Sequence, residues 1–193
     1  MPSVFSHAVA GAAIGVAHPR GSVPRHAWAM GALCAVLCDL DVIAFQLGIP
    51  YGHVLGHRGF FHGIVFAALI GACAAFAAVL MRKRQFSALA LFSLAFLAAA
   101  SHGILDAATD GGLGVAFFSP FSEERHFLPF RPISASPLSL RRFFTANGFR
   151  VISNELRWVW LPSILIICTT VSVRRWRDRP PARRAPGGTA QQS

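Results

Sequence analysis

The sequence predicts an all-α protein, a polytopic membrane helical bundle of about five spans with a long non-cytoplasmic loop region. Three observations lead there. Apolar residues make up 54% of the 193-residue chain and charged residues only 13%, whereas soluble domains sit nearer 45–50% and about 25%. The apolar residues gather into separate runs, and a hydrocarbon core takes about 20 residues per helical span. Between the runs lie basic, Gly-rich or Pro-rich connections of the kind that end helices. The formal net charge is +10, but a chain this apolar does not suit a nucleic-acid partner, and none is expected.

The first run, Val4 to Ala17, reaches only ~21 Å as a helix at 1.5 Å per residue. It reads as a short or partly buried span. Gly11 and Gly15 form a GxxxG pair that lets a neighbouring backbone come close in lipid. The stretch lacks the basic flank of a signal peptide and carries His7, so it is expected to be retained. After a loop with Arg20 and Arg25, the second run from Ala27 to Leu47 is long enough to cross and contains Asp39 and Asp41. A glycine-rich connection with His53, His57 and Arg58 leads into the third run, Phe61 to Met81. The basic turn Arg82-Lys83-Arg84 precedes the fourth run, Phe86 to Leu105, which ends near Ser101, His102 and Asp106. A polar region rich in Pro and Phe spans Ala107 to Arg157, and the last run is Trp158 to Val173. Residues 1–173 thus read as one membrane-embedded domain and 174–193 as a basic, disordered cytoplasmic tail. Cys34, Cys38, Cys73 and Cys168 all lie in apolar runs and read as small hydrophobes.

Basic residues set the orientation. Eleven fall on one side if Arg20, Arg25, the Arg82 to Arg84 turn and the tail are grouped, against seven in longer loops on the other. The first side, with the C-terminus, is expected to be cytoplasmic. His7, the Asp39/Asp41 end, His57, His62, His102 and Asp106 then all approach the non-cytoplasmic face.

Those residues carry the chemistry. His102, Asp106 and Asp110 are spaced by four and share a helix face for as long as the helix lasts. His57 and His62 are five apart, but Gly59 gives the backbone freedom to aim both at one centre. Ionisable groups in membrane segments are costly and so mark pairing or function. The set is nitrogen and oxygen only. That suits a divalent metal, Zn²⁺ first and Mn²⁺ or Fe²⁺ as alternatives, with room for one or two ions. Of Asp39 and Asp41, which lie on different sides of a helix, one is expected to ligate and the other to orient a histidine. Arg58, between two candidate ligands, has a planar fork that fits a phosphate or carboxylate. His18, His26 and His126 read as ordinary polar residues, and His53 is undecided.

The residues from His7 to about Pro132 resemble the YdjM-like, or LexA-binding, family of inner-membrane metal-dependent hydrolases. The features that carry the resemblance are His7, Asp39-Leu40-Asp41, His57-Arg58-Gly59-x-x-His62, Ser101-His102-x-x-x-Asp106 and Thr109-x-Gly111 to Ser119-Pro120-Phe121. The His, Asp, His and His-x-x-x-Asp order is distantly similar to that of zinc-dependent phospholipase C and P1 nuclease. Gly63 departs from the family pattern, where Ser is expected.

The resemblance implies a hydrolase in the bacterial inner membrane. Its metal ligands would be His7, Asp39, His57, His62, His102 and Asp106, with Arg58 and Asp41 as catalytic groups. The expected chemistry is hydrolysis of a lipid or other membrane-associated phosphoester by metal-activated water. A transporter or proton relay is the alternative, since intramembrane His and Asp also line ion paths. Leu138, Leu140, Phe143 and Phe144, interleaved with Arg141 and Arg142, fit a segment lying in the lipid interface or a loop packed over the helix ends.

Overall fold

The structure, a computed structural model, describes residues 1–81, 85–136 and 146–179. The Arg82 to Arg84 turn, the Leu138 to Phe144 segment and the tail from residue 180 lie outside the described residues.

Described residues form helices and no strand beyond isolated bridges. The elements are α1 (Val4–Ala17), α2 (Ala27–Val36), a 3₁₀ turn (Leu37–Asp41), α3 (Val42–Gln46), a second 3₁₀ turn (Phe60–His62), α4 (Ile64–Leu80), α5 (Ala88–Ala107), α6 (Ala146–Glu155), a π turn (Leu156–Trp160) and α7 (Leu161–Arg177). Three stretches are long and apolar enough to cross a membrane: Ala27–Ala44, Ala88–Ala107 and Gly148–Arg177. The helices α1 and α4 are apolar but shorter.

The last span starts earlier than its hydropathy suggests. Residues 146–155, read from sequence as part of a polar region, are helical, and the π turn carries that helix into α7 without a break. Arg174, Arg175 and Arg177 then form the last turn of the helix, where cations complement the helix dipole.

Small residues hold the bundle together, as expected in lipid, where close backbone approach replaces the hydrophobic drive between helices. A Cβ on Gly11 would lie 2.3 Å from the Gly31 carbonyl oxygen, and one on Gly15 would lie 2.2 Å from that of Ala27. The GxxxG face of α1 is therefore in backbone contact with α2. Behind it, Cys34, Ala35, Ala95 and Ala98 pack between α2 and α5, with Cys38, Ala67 and Ala99 below. Cys34 and Cys38 are buried, while Cys73 and Cys168 lie on exposed helix faces. Large apolar side chains point outward, among them Leu33, Phe76, Leu89 and Leu165. Such a continuous apolar exterior fits contact with lipid.

The segment from Ala108 to Ser136 folds back over one end of the bundle. It is tied there by Ala116 N–H to the Arg58 carbonyl (3.0 Å), Ile64 N–H to Phe117 (2.9 Å) and Leu128 N–H to Ala107 (2.9 Å). Beneath this cap the polar residues collect.

Candidate metal centre

Four segments deliver side chains to one buried cluster under the cap. His7 comes from the first turns of α1, Asp39 and Asp41 from the 3₁₀ turn after α2, His57 and His62 from the connection before α4, and His102 and Asp106 from the last turns of α5. His7, Asp41, His57, His62, His102 and Asp106 are all buried. The neighbouring backbones also come close, since a Cβ on Gly103 would meet the His62 carbonyl oxygen at 2.5 Å.

The ring nitrogens face inward. His62 Nε2 and His102 Nε2 are 2.9 Å apart, and Asp106 Oδ2 lies 3.3 Å from the first and 4.0 Å from the second. His7 stacks on His102 with centroids 3.6 Å apart, which sets its Nε2 3.4 Å from Asp106 Oδ1. Asp39 Oδ1 approaches His102 Nε2 at 3.5 Å. Two nitrogens that share a tetrahedral ion through bonds of about 2.0–2.1 Å stand about 3.3–3.4 Å apart. These contacts are close to that spacing.

Partners behind the rings fix their direction. His102 Nδ1 lies 2.7 Å from the Ala35 carbonyl oxygen. A carbonyl only accepts, so Nδ1 carries the hydrogen and the lone pair of the neutral ring is at Nε2, facing the cluster. Asp41 does the same for two rings, with Oδ1 2.8 Å from His57 Nδ1 and Oδ2 3.1 Å from His62 Nδ1. A 3₁₀ turn advances about 120° per residue, so Asp39 and Asp41 diverge, one toward His102 and the other toward His57 and His62. His62, in the connection ahead of α4, feels burial pushing its pKa down, but the Asp106 and Asp41 carboxylates outweigh it and raise it to about 9.

Arg58 has different surroundings from those its sequence position suggested. It is fully buried and adopts φ 62°, a left-handed conformation that costs a non-glycine residue energy and concentrates at functional sites. That conformation aims its N–H at Asp41 Oδ2 (3.2 Å). Its fork is held inside the protein: Nε is 3.1 Å from Asp106 Oδ2, Nη1 donates to the Gly111 carbonyl (2.7 Å) and Nη2 to Thr109 Oγ1 (2.9 Å).

The donor set fits a divalent cation. Two groups satisfy the geometry for holding an ion, Asp39, Asp41, His57 and His62 in one and His7, His102 and Asp106 in the other, with one ligand atom from each residue within 4.8 Å of the rest of its group. Both oxygens of Asp39 and of Asp106 and both ring nitrogens of His7 are buried without a well-directed hydrogen bond from the described residues. Buried polar atoms are normally satisfied, and a cation held there would complete the partners of these carboxylates.

Other sequence candidates lie elsewhere. Asp110 falls beyond the end of α5, so the spacing of four no longer holds it on the helix face, and it accepts from Ala135 N–H instead (2.8 Å). His53 is exposed and accepts from Leu55 N–H. His18 rests on the Ile14 carbonyl and Ser93 Oγ, and His126 pairs its backbone with Val115.

Sequence reasoning missed two supports. Glu155 is 1% exposed and accepts from Ser3 N–H, Ser3 Oγ and Ser6 Oγ, while Trp160 Nε1 donates to Ser6 Oγ at 2.9 Å. The last span is thereby fastened to the turn that carries His7. Arg125 holds the His57 and Tyr51 carbonyls from the cap, at 3.1 and 3.3 Å. Neither residue belongs to a spacing pattern, so only the fold reveals them.

Comparison with known proteins agrees with a membrane location. The chain is 38% identical over 181 residues to the inner membrane protein YbcI of Escherichia coli K12, covering 93% of this chain and 100% of that protein. No solved structure matches. The likeness to phospholipase C and P1 nuclease finds no support among these matches. The model of the YdjM inner membrane protein family matches residues 1–179, and the chain with its buried His and Asp cluster belongs to that family.

Proposed function

We propose that this protein is a membrane-embedded metal-dependent hydrolase that cleaves a phosphoester of a lipid or membrane-associated substrate. The observation that carries this reading is the gathering of His7, Asp39, His62, His102 and Asp106 into one buried cluster of nitrogen and oxygen donors, with carboxylate oxygens that lack a well-directed hydrogen bond from the described residues. A divalent ion held by these residues, zinc first by the donor set, would supply Lewis-acid chemistry for hydrolysis of an ester. His7, His62 and His102 offer it neutral nitrogens, and Asp39 and Asp106 offer it oxygens. Asp41 orients the rings of His57 and His62. Arg58 acts as a positioning residue that holds Asp106, in place of the phosphate contact its sequence position first suggested. Asp39, with 10% of its side chain exposed, is the least buried of these ligands.

A relay or transporter would need a polar route along the bundle. Away from the cluster, the described core between α2 and α5 consists of Ala, Cys, Leu and Val side chains, which favours chemistry confined to one end.

The test is metal analysis of detergent-purified protein beside His102→Ala and Asp106→Asn, together with turnover of phospholipids and isoprenoid phosphates in mixed micelles. The expected result is one or two ions per wild-type chain, sharply reduced occupancy in both variants, and release of phosphate or a phosphorylated headgroup that chelation abolishes. Stoichiometric metal with cleavage only of carboxylic esters or peptides would remove the phosphoester assignment. Wild-type protein that takes up no ion would remove the hydrolase.

A further inference from the structure

The other end of the bundle contains a cavity that the metal cluster does not explain. The loop between α1 and α2, the residues just ahead of α5 and the last turns of α7 border a half-open cavity of about 1030 Å³, lined among others by His18, Arg20, Arg25, Trp28, Phe86 and Arg174. Along α1, roughly 16 Å of helix separates His7 from His18. The cavity is therefore not an entrance to the cluster.

Its chemistry is that of an anion held beside hydrocarbon. Three guanidinium groups line it, and the one described acid nearby, Asp178, is paired to Arg20 at 3.5 Å with both side chains more than half exposed. Such a pair is weak and screened and does not cancel the local charge. Arg174 Nη2 donates to the His18 carbonyl, and the His18 ring is pinned by the Ile14 carbonyl and Ser93. One guanidinium is thus held in place, while Arg20 and Arg25 are exposed and able to close on a ligand.

Apart from His18 and Gln85 the rest of the lining is apolar or glycine, and the helix exteriors near it are apolar. Trp28 is 55% exposed, with Leu33 beyond it on α2, Leu89 on α5 and Val173 on α7. A volume near the upper end of small-molecule sites, about 300–1,000 Å³, exceeds what an inorganic anion fills. Basic pockets between membrane helices suit anionic lipid headgroups.

We propose that this cavity holds the phosphate and glycerol part of an anionic phospholipid, with Arg20, Arg25 and Arg174 around the phosphate and Trp28 and Phe86 beside the acyl chains. The assignment does not depend on the hydrolase reading. None of the three arginines touches the cluster, and the lipid here is a resident ligand at the opposite end from the proposed substrate.

The experiment uses full-length protein in phosphatidylcholine nanodiscs, into which brominated phosphatidylglycerol or brominated phosphatidylcholine is titrated while tryptophan quenching is followed. Saturable quenching by the anionic lipid at least tenfold below the concentration needed for the zwitterionic lipid is expected. Each of Arg20→Gln, Arg25→Gln and Arg174→Gln should reduce that preference about fivefold, with metal content unchanged. Should one variant misfold, Arg25→Gln, at an exposed loop position, and competition on the wild type both remain informative. Equal quenching by the two lipids overturns the proposal. So does full competition by inorganic phosphate at millimolar concentration, which would mark a free-anion site, or an undiminished preference in all three variants.

Discussion

The two ends of the bundle hold opposite charges in opposite states of solvation. At the capped end, Asp106 and Arg58 meet at 3.1 Å with side chains no more than 1% exposed. At the other end, Arg20 and Asp178 meet at 3.5 Å with 65% and 69% exposure. The distances are similar but the consequences are not. An exposed pair contributes about 0–1 kcal/mol. Removing one member of a buried pair strands the other and costs about 3–5 kcal/mol. Burial, more than proximity, fixes the charges at the first end and leaves Arg20 and Asp178 at the second free to rearrange.

The sharpest way to break this contrast is Asp106→Ala. It leaves Arg58 unpaired and removes a proposed ligand, so the melting temperature should fall by many degrees, an effect of about 3–5 kcal/mol, and metal should be lost. Unchanged melting by calorimetry would mean that water reaches Arg58. Gly11→Leu comes next. It tests the seam that joins the two ends, because its side chain would run into the Gly31 carbonyl and the Ala35 Cβ, and overpacking costs about 1–3 kcal/mol. Thermal unfolding should show that loss, and metal affinity should fall with it as α1 withdraws His7.

Protons give a third handle. With the pKa of His62 raised to about 9, the metal-free ring is protonated at neutral pH and an ion must displace that proton. Metal affinity measured with a chelating competitor should rise by about tenfold per pH unit up to about 9. In chelated protein the sign reverses. The raised pKa stabilises the fold fully below the ordinary value of 6.5, and that stabilisation is lost as pH rises through about 9. Chelated protein should therefore melt lower at pH 9.5 than at pH 6. Parallel trends in the two forms would show that His62 does not exchange a proton for a metal.

Glu155→Gln is a smaller change. It keeps the shape but leaves a carboxamide where three hydrogen bonds converge on a carboxylate, and hydrogen bonds to charged groups contribute about 1.5–3 kcal/mol each against about 0.5–1.5 for neutral ones. A loss of about 1–2 kcal/mol in thermal unfolding is expected, with weaker metal binding through a less constrained α1. At the open end, Arg20→Gln should move stability by less than about 1 kcal/mol.

The site was more legible in the sequence than its supports. Spacings such as His57 to His62 and His102 to Asp106 are short-range, so a local pattern displays them, and the topology of apolar runs sends them toward one end. What remained hidden depends on contacts made across the chain. Arg58 sits among candidate ligands, but its left-handed backbone turns the fork toward Thr109 and Gly111, residues more than fifty positions away. Asp39 and Asp41 divide their partners because the helix tightens to a 3₁₀ turn at Leu37, which no residue in the stretch announces. In the fold, the five runs are visible by hydropathy, whereas α6 is not. Its polar residues include Arg150 and Glu155, and its place is set by long-range contacts: Glu155 against Ser3 and Ser6, Asn154 against Pro132 and Ser134, and buried Val151.

The short α1 has a consequence for how the protein enters its membrane. With 14 residues, a buried histidine and a glycine face shaped for another backbone, this segment has little to gain from hydrocarbon by itself. Its backbone fits against α2, so the two would partition together as a helical hairpin, with residues 18–26 as the bend. Assembly of the capped end then waits for α5, whose His102 arrives beneath a His7 already in place.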